Sequence, residues 1–195
     1  MSDVDSNYWI NFVLHAVYGK LAEADGIMRS FGARVRSFAD KLETVMPIDS
    51  RKPIYRGVLL DPTKPYRTDP KLMFLSWSED PLVARWFASP DSVISVPVAK
   101  RHPNYRGYMF ALEAPRSRVL FHYSWVKPDV FAAFALQHPL MRHEGQRQIR
   151  WSLETQHEVI TEPVIGLTPV PVEPVTREID RRLAPSWFDE SEFAL

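Results

Sequence analysis

The feature that most constrains the fold is a run of apolar residues near the N-terminus with helical spacing. Its members are Met28, Phe31, Val35, Phe38, Leu42 and Val45. Charged residues fill the positions between them, so the pattern predicts an amphipathic helix with one buried face. Packing of that face on the chain's own domain is favoured over docking to a separate partner. Helical spacing also covers the residues from 7 onward, with a break predicted at Gly26 and an end at Pro47.

The rest of the chain alternates between strand and helix patterns. Runs of β-branched and aromatic residues bounded by turn residues predict strands at 54–60, 71–78, 93–96, 107–113, 117–123, 159–161 and 164–167. Helices are expected after the cap Asp80-Pro81, from Pro128 and from Thr176. Residues 143–151 are polar and basic and are predicted to form an exposed loop. The sum is an α+β fold with a helical segment at 1–50, a core at 51–175 and a tail at 176–195.

Composition excludes several classes of protein. Lys and Arg total 24 and balance 24 Asp and Glu, which argues against a general polyanion binder but leaves a local basic patch open. The absence of cysteine excludes disulfide scaffolds, thiol nucleophiles and zinc–thiolate sites. The acidic start, Met1 to Asp5, is not a signal peptide, and no apolar run reaches membrane-spanning length. A cytoplasmic protein with no membrane partner is therefore expected.

The triplet Gln156-His157-Glu158 precedes the β-branched residues of a predicted strand. Because strand side chains alternate, Gln156 and Glu158 should share one face and His157 should point the other way. A glutamate can accept a hydrogen bond from a ribose hydroxyl and stabilise positive charge, and a glutamine can both donate and accept toward a second reactant. Alone, this triplet is much more typical of a solvated strand face than of a functional site.

Two stretches upstream carry polar residues within apolar strands. Arg56 lies inside the first predicted strand, where its cation must reach solvent or find an anion. Arg106, in a second Tyr-Arg-Gly, competes for the same assignment. Ser76 and Ser78 should share a face of the next strand, opposite Trp77, and no Gly-x-Ser-x-Gly elbow marks a nucleophilic serine.

Together these stretches resemble the arginine-serine-glutamate branch of the mono-ADP-ribosyltransferases, which includes the cholera-toxin-like and C3-like toxins. The matching segments are, in order, Tyr55-Arg56-Gly57, Ser76-Trp77-Ser78 and Gln156-His157-Glu158. The resemblance covers about residues 54–167. The family usually has Ser-Thr-Ser where this chain has Trp77 in the middle, and the gap from Ser78 to Gln156 is long.

The resemblance implies a split, mostly antiparallel β-sandwich around a cleft, with residues 51–175 as the catalytic domain and NAD⁺ as a substrate that needs no metal. Arg56 would clamp the pyrophosphate through its planar fork. Ser76 and Ser78 would organise the nicotinamide ribose, with Trp77 beside them, and the backbone of Gly57 would meet the nicotinamide amide. Glu158 would stabilise the oxocarbenium-like transition state.

The resemblance also bears on the acceptor. In this family a glutamate at the position of Gln156 accompanies arginine targets, so Gln156 implies a different acceptor, either a nucleobase in RNA or DNA or a protein side chain such as asparagine. Trp151 and Arg150, in the predicted loop, would stack on or grip a base. The family context suggests a toxin or a phage-defence effector, with an antitoxin or inhibitor as a possible partner.

Two other functions stay open from the sequence. The same site would serve an NAD⁺ glycohydrolase, in which water is the acceptor. A non-catalytic binding module on the same fold, holding a partner through its helices and tail, belongs to a different class.

Overall fold

The computed structural model describes residues 4–49, 51–66, 71–112, 118–137 and 142–185. The helices are α1 (Val4–Val17), α2 (Leu21–Val45), α3 (Pro81–Phe87), α4 (Val96–Arg101), α5 (Pro128–Gln137), α6 (Arg142–Glu154) and α7 (Arg177–Leu183). The strands are β1 (Ile54–Leu60), β2 (Leu75–Ser78), β3 (Arg106–Leu112), β4 (Val119–His122), β5 (Glu158–Thr161) and β6 (Val170–Pro171). The predicted α+β class is confirmed.

The strands form one open six-stranded sheet within the described ranges, in the order β4-β5-β2-β1-β3-β6, and each neighbouring pair is antiparallel. β1 and β3 pair along their full length, from Ile54 opposite Leu112 to Leu60 opposite Arg106. By contrast, β1 and β2 are bridged at a single pair, Tyr55 opposite Ser78. The sheet is therefore nearly divided at its centre into the halves β4-β5-β2 and β1-β3-β6.

The two N-terminal helices meet at a short turn of residues 18–20. Gly19 in that turn has φ +80°, in the left-handed region that favours glycine. The break predicted at Gly26 is wrong, because Gly26 lies inside α2. A single glycine costs a helix only about 1 kcal/mol, which a packed helix of this length tolerates. By contrast, a residue with left-handed backbone angles, such as Gly19, ends a helix.

The main core lies between these helices and the sheet, as the amphipathic pattern predicts. Its largest fully buried side chains include Phe12, Met28, Val35, Phe110, Phe121 and Ile160. The indole N–H of Trp9 on α1 donates to the carbonyl of Leu120 on β4 at 2.8 Å, which anchors α1 to the sheet. The predicted buried stripe fails at Val45, which is 77% exposed near the helix end, and at Phe31, where α2 departs from helical geometry.

A smaller core, built from Val83, Trp86, Trp151 and Leu183, joins α3, α6 and α7. Asp80 caps α3 as predicted, because its carboxylate accepts from the N–H of Leu82 at 2.8 Å and Pro81 is the first helical residue. The indole of Trp86 donates to Asp180 on α7 at 2.6 Å. The predicted tail therefore begins with a helix packed on α3, and residues 186–195 lie outside the described residues.

Three predicted elements are wrong. Residues 93–95 form turns and Val96 begins α4, and the hydroxyls of Ser92 and Ser95 donate to nearby backbone carbonyls. The predicted strand at 164–167 is absent, and the chain pairs with β3 later, at Val170–Pro171. The predicted loop at 143–151 lies within α6, where Ile149 and Leu153, four residues apart, are buried on one face.

The second predicted strand, at 71–78, is shortened to β2, which begins at Leu75. In the described part of the chain, no helix has both the length and the apolar character needed to cross a membrane.

Candidate active site

The site is built around Arg56, at the line where the sheet divides. Because β1 and β2 diverge beyond the Tyr55–Ser78 bridge, the backbone carbonyl of Ser76 is left without a strand partner on that side. The Nη1 of Arg56 donates to this carbonyl at 2.7 Å. Burial lowers the pKa of Arg56 below its usual value, and the charges of Tyr66 and Glu158 oppose that shift. A partly buried cation therefore lies in the gap between the two halves of the sheet.

Glu158 lies across that gap, as the first residue of β5 and opposite Ser78. It is 6% exposed. Burial raises the pKa of Glu158 to about 7, while hydrogen bonds from the side chains of Ser76 and Ser152 and the positive charge of Arg56 oppose the rise. This carboxyl group therefore titrates near neutral pH, a common property of groups that act in catalysis.

Ser78 holds the turn before β5 in place. Its hydroxyl donates to the backbone carbonyl of Gln156 at 2.6 Å and accepts from the N–H of Asp80 at 2.9 Å. Gln156 is itself buried, at 8% exposure. The two serines thus have different partners, since Ser76 bonds the Glu158 carboxyl and Ser78 bonds the backbone beside it.

His157, between the two predicted site residues, adopts φ +46°, which is uncommon outside glycine. Its ring stacks on that of Tyr123, with the centroids 4.8 Å apart. Gln156 and Glu158 line a cavity whose lining does not include His157. The predicted division of this triplet between two sides therefore matches the structure, although only Glu158 belongs to the strand.

The first cavity has a volume of about 320 Å³, within the range of small-molecule sites. Its lining contains the predicted site residues Arg56, Gly57, Ser76, Trp77, Ser78, Trp151, Gln156 and Glu158. Segments as far apart in the sequence as Arg56 and Glu158 thus meet around one space. Trp77 contributes to this wall while its indole N–H donates to the hydroxyl of Thr161 at 2.9 Å.

Gly57 has a packing role that the sequence did not reveal. A Cβ at this position would lie 1.6 Å from the carbonyl oxygen of Ala84 on α3. Gly107, in the second Tyr-Arg-Gly, lies against α3 in the same way, since its Cβ would lie 2.2 Å from the carbonyl oxygen of Ala88. Both glycines are therefore explained by the close approach of α3.

The two predicted acceptor contacts differ in position. Trp151 lines the cavity, but it is only 8% exposed and its indole N–H donates to the carbonyl of Leu183 at 3.0 Å, so that N–H is not directed at a ligand. Arg150 is exposed, pairs with Asp129 on α5 at 2.5 Å and is absent from the cavity lining. Both assignments assumed a loop. In a helix, successive residues point in different directions.

The sequence analysis did not assign Ser152 or the turn between α1 and α2 to the site. Ser152 bonds the Glu158 carboxyl and lies near the carbonyl of Val17, at 3.4 Å. Val17, Gly19 and Leu21 bring the turn between α1 and α2 into the cavity wall. Ser152 could be assigned to the site only if residues 142–154 were predicted to form a helix. No sequence pattern indicates that the turn between α1 and α2 contacts the cavity.

Comparison with known proteins found no match to this chain among protein-family models, curated proteins or solved structures. Among the residues that the structure describes, no group of three His, Asp or Glu side chains is placed to hold a metal ion.

Proposed function

We propose that this protein transfers ADP-ribose from NAD⁺ to an acceptor other than arginine. The observation that carries the proposal is the convergence of Arg56, Ser76 and Glu158, from three separate strands, on one cavity at the divide of the sheet. The near division between β1 and β2 supports the split sheet that an ADP-ribosyltransferase-like fold would need.

Arg56 would bind the pyrophosphate. Its side chain is partly buried, and its Nε is a buried donor that has no hydrogen-bond partner in the described structure. Phosphate oxygens match the planar donor fork of arginine, so a bound pyrophosphate would supply the missing acceptor. Ser76 and Ser78 would then flank the nicotinamide ribose.

Glu158 would act as the bond between C1′ of the ribose and the nicotinamide nitrogen breaks. The bonding electron pair leaves with nicotinamide, whose ring becomes neutral, and positive charge develops on the ribose. The buried carboxylate would stabilise that charge, and the acceptor would add to C1′ and lose its proton to solvent. The cationic nicotinamide ring beside Glu158 favours the ionised carboxylate, which lowers its pKa in the complex.

Gln156 would orient the acceptor. It lines the cavity together with Glu158, and its backbone is held by Ser78. Its amide can donate to and accept from an incoming group but cannot accept a proton as a carboxylate would, which agrees with an acceptor less basic than arginine. An asparagine side chain or a nucleobase would fit this requirement.

A specific observation favours NAD⁺ hydrolysis as a second candidate. α6 and the buried Trp151 close the region that was expected to hold a macromolecule, and Gln156 is only 8% exposed. Water would reach Glu158 more easily than a bulky side chain would. The two candidates share the donor site and differ in the acceptor.

One experiment tests both candidates. The purified protein is incubated with NAD⁺ labelled in the adenosine half, with and without a cell lysate, while nicotinamide release and label in protein, RNA and DNA are measured. Label in a macromolecule supports transfer, and release at full rate without lysate supports hydrolysis. Absence of both, from a folded protein that does not bind NAD⁺, would overturn the proposal in favour of a non-catalytic module.

A further inference from the structure

A second cavity, of about 400 Å³, adjoins the first. The two cavities share Leu21, Arg56 and Ser76 in their linings. The second cavity is closed on one side by α2, through Ala22, Asp25 and Arg29, and on another by the segment that leads into β2. Arg56 therefore stands between two connected spaces.

Two buried polar atoms have no hydrogen-bond partner in the described part of the chain, and both belong to residues of this second cavity. They are Oδ1 of Asp25 and Nε of Arg56. Buried polar atoms in native proteins are almost always paired, so an unpaired one calls for an explanation such as an absent ligand. Here one atom is an acceptor and the other a donor.

The Asp25 carboxylate is held in place while Oδ1 remains unpaired. Its other oxygen, Oδ2, accepts from Nε of Arg29 at 2.7 Å, and Nη2 of Arg29 donates to the carbonyl of Lys71 at 2.5 Å. These bonds connect α2 to the chain before β2. A ligand that donates to Asp25 and accepts from Arg56 would complete both groups.

The position of Glu158 decides which ligand fits. Gln156 and Glu158 line the first cavity and are absent from the lining of the second, so the acceptor belongs to the first. With the nicotinamide ribose at Glu158 and the pyrophosphate at Arg56, the space beyond Arg56 remains for the other half of the dinucleotide. Apolar residues there, including Leu72, Phe74 and Leu75, suit the faces of a planar base.

We propose that the second cavity binds the adenosine half of NAD⁺, with Asp25 accepting a hydrogen bond from the exocyclic amine or a ribose hydroxyl. The inference rests on the proposed use of NAD⁺. It assigns a substrate contact to α2, which the sequence placed in a packing role.

Calorimetric titrations with ADP-ribose and with nicotinamide mononucleotide test this assignment. Asp25→Asn removes the carboxylate, and Asp40→Asn is its matched control. Asp40 also lies on α2, and its substitution also removes one exposed ion pair, with Arg118, but Asp40 lines neither cavity. We expect Asp25→Asn to weaken ADP-ribose binding about tenfold or more and nicotinamide mononucleotide binding less than twofold. Asp40→Asn should change neither.

A steric variant separates binding from folding. Ala22 is exposed on α2 and lines the second cavity, so Ala22→Phe should fill that space without disturbing the core. Ala33→Phe, also at an exposed position of α2 but outside both cavities, is the control. Ala22→Phe should abolish ADP-ribose binding while the melting temperature stays close to that of Ala33→Phe.

Dinucleotide analogues identify the donor. If it is the amine, nicotinamide hypoxanthine dinucleotide binds the wild type more weakly than NAD⁺, and Asp25→Asn removes the difference. If the donor to Asp25 is the 2′-hydroxyl, the wild type binds NADP⁺ more weakly than NAD⁺, and Asp25→Asn removes that difference. If neither analogue binds the wild type more weakly than NAD⁺, the donor is the 3′-hydroxyl. Equal ADP-ribose affinity in the wild type, Asp25→Asn and Ala22→Phe overturns the inference alone. A wild type that neither binds ADP-ribose nor releases nicotinamide from NAD⁺ overturns the proposed function with it.

Discussion

The hydroxyl of Ser78 donates a 2.6 Å hydrogen bond to the backbone carbonyl of Gln156. The same hydroxyl accepts from the N–H of Asp80, the residue that caps α3. One serine thus connects the end of β2, the start of α3 and the turn before β5. The position of the Gln156 side chain is set relative to Glu158 through this contact.

Gln156→Ala should abolish transfer of ADP-ribose, because the amide would orient the acceptor and not NAD⁺. Nicotinamide release should fall by no more than about tenfold relative to the wild type. Single-turnover assays that follow nicotinamide and labelled acceptor separately would measure both. If release falls as far as transfer, Gln156 serves NAD⁺ binding or bond breaking.

Glu158→Gln should lower turnover about 100-fold to 1,000-fold or more while leaving NAD⁺ affinity within a few-fold. The amide keeps the shape of the side chain but cannot stabilise developing positive charge. Glu154→Gln is the matched control, because Glu154 is the exposed last residue of α6. Similar turnover in Glu158→Gln and the wild type would remove the carboxylate from the mechanism.

The pH dependence of kcat/KM should report the Glu158 carboxyl. Its pKa in the free protein is raised to about 7, so the active carboxylate forms, and the rate rises, as pH increases through that value. The profile for kcat should have a lower midpoint, because the positive charge of the bound nicotinamide ring favours ionisation of the carboxyl group. The raised pKa also means that the contribution of Glu158 to the free energy of unfolding is present below its ordinary pKa and is lost as pH rises to about 7. A kcat/KM profile that is flat from about pH 6 to 8 would contradict this role.

Arg56→Ala should weaken NAD⁺ binding about 10-fold to 100-fold, since it removes charge-assisted hydrogen bonds to the pyrophosphate. Arg106→Ala should leave binding within about twofold, the size expected for a surface group. Arg106 is exposed, and the hydrogen bonds that its side chain makes to described residues go to the nearby carbonyls of Pro103 and Tyr105. Equal losses in calorimetric titrations of the two variants would reject the assignment of Arg56.

Gly57→Ala should lower the free energy of unfolding by about 3 kcal/mol, because the added methyl group would overlap the carbonyl of Ala84. Gly26→Ala is the opposite case. Nothing lies within 4 Å of a Cβ at that helical position, so this change should stabilise the protein by about 1 kcal/mol. Chemical denaturation of both variants gives the comparison, and a neutral Gly57→Ala would mean that α3 can shift away from β1.

Local signals predicted part of this structure well. Asp80-Pro81 marked the start of α3, and the β-branched residues after Glu158 marked β5, because capping and strand preference act over a few residues. The sequence analysis predicted that Arg56 and Glu158 lie together from the order of the arginine, serine and glutamate motifs, and not from the spacing between them. A resemblance of short motifs could indicate it, whereas local propensity could not.

The failures have a common physical origin. Arg150 and Trp151 were assigned to a loop because their segment is polar, yet polar residues are good helix formers when a few apolar ones, here Ile149 and Leu153, fall on one face. The role of Asp25 depends on how α2 packs against the chain before β2. Contacts of this range leave no periodic trace in the sequence.

α3 starts from one half of the divided sheet and rests on the other. Its cap, Asp80, is bonded to Ser78 at the end of β2, whereas Ala84 within the helix lies against Gly57 of β1 and Ala88 at its C-cap lies against Gly107 of β3. The helix therefore connects the two halves of the sheet where β1 and β2 share only one bridged pair. Separation of the two halves would require α3 to move away from Gly57 and Gly107, so the width of the cleft depends on the packing of this helix against those two glycines.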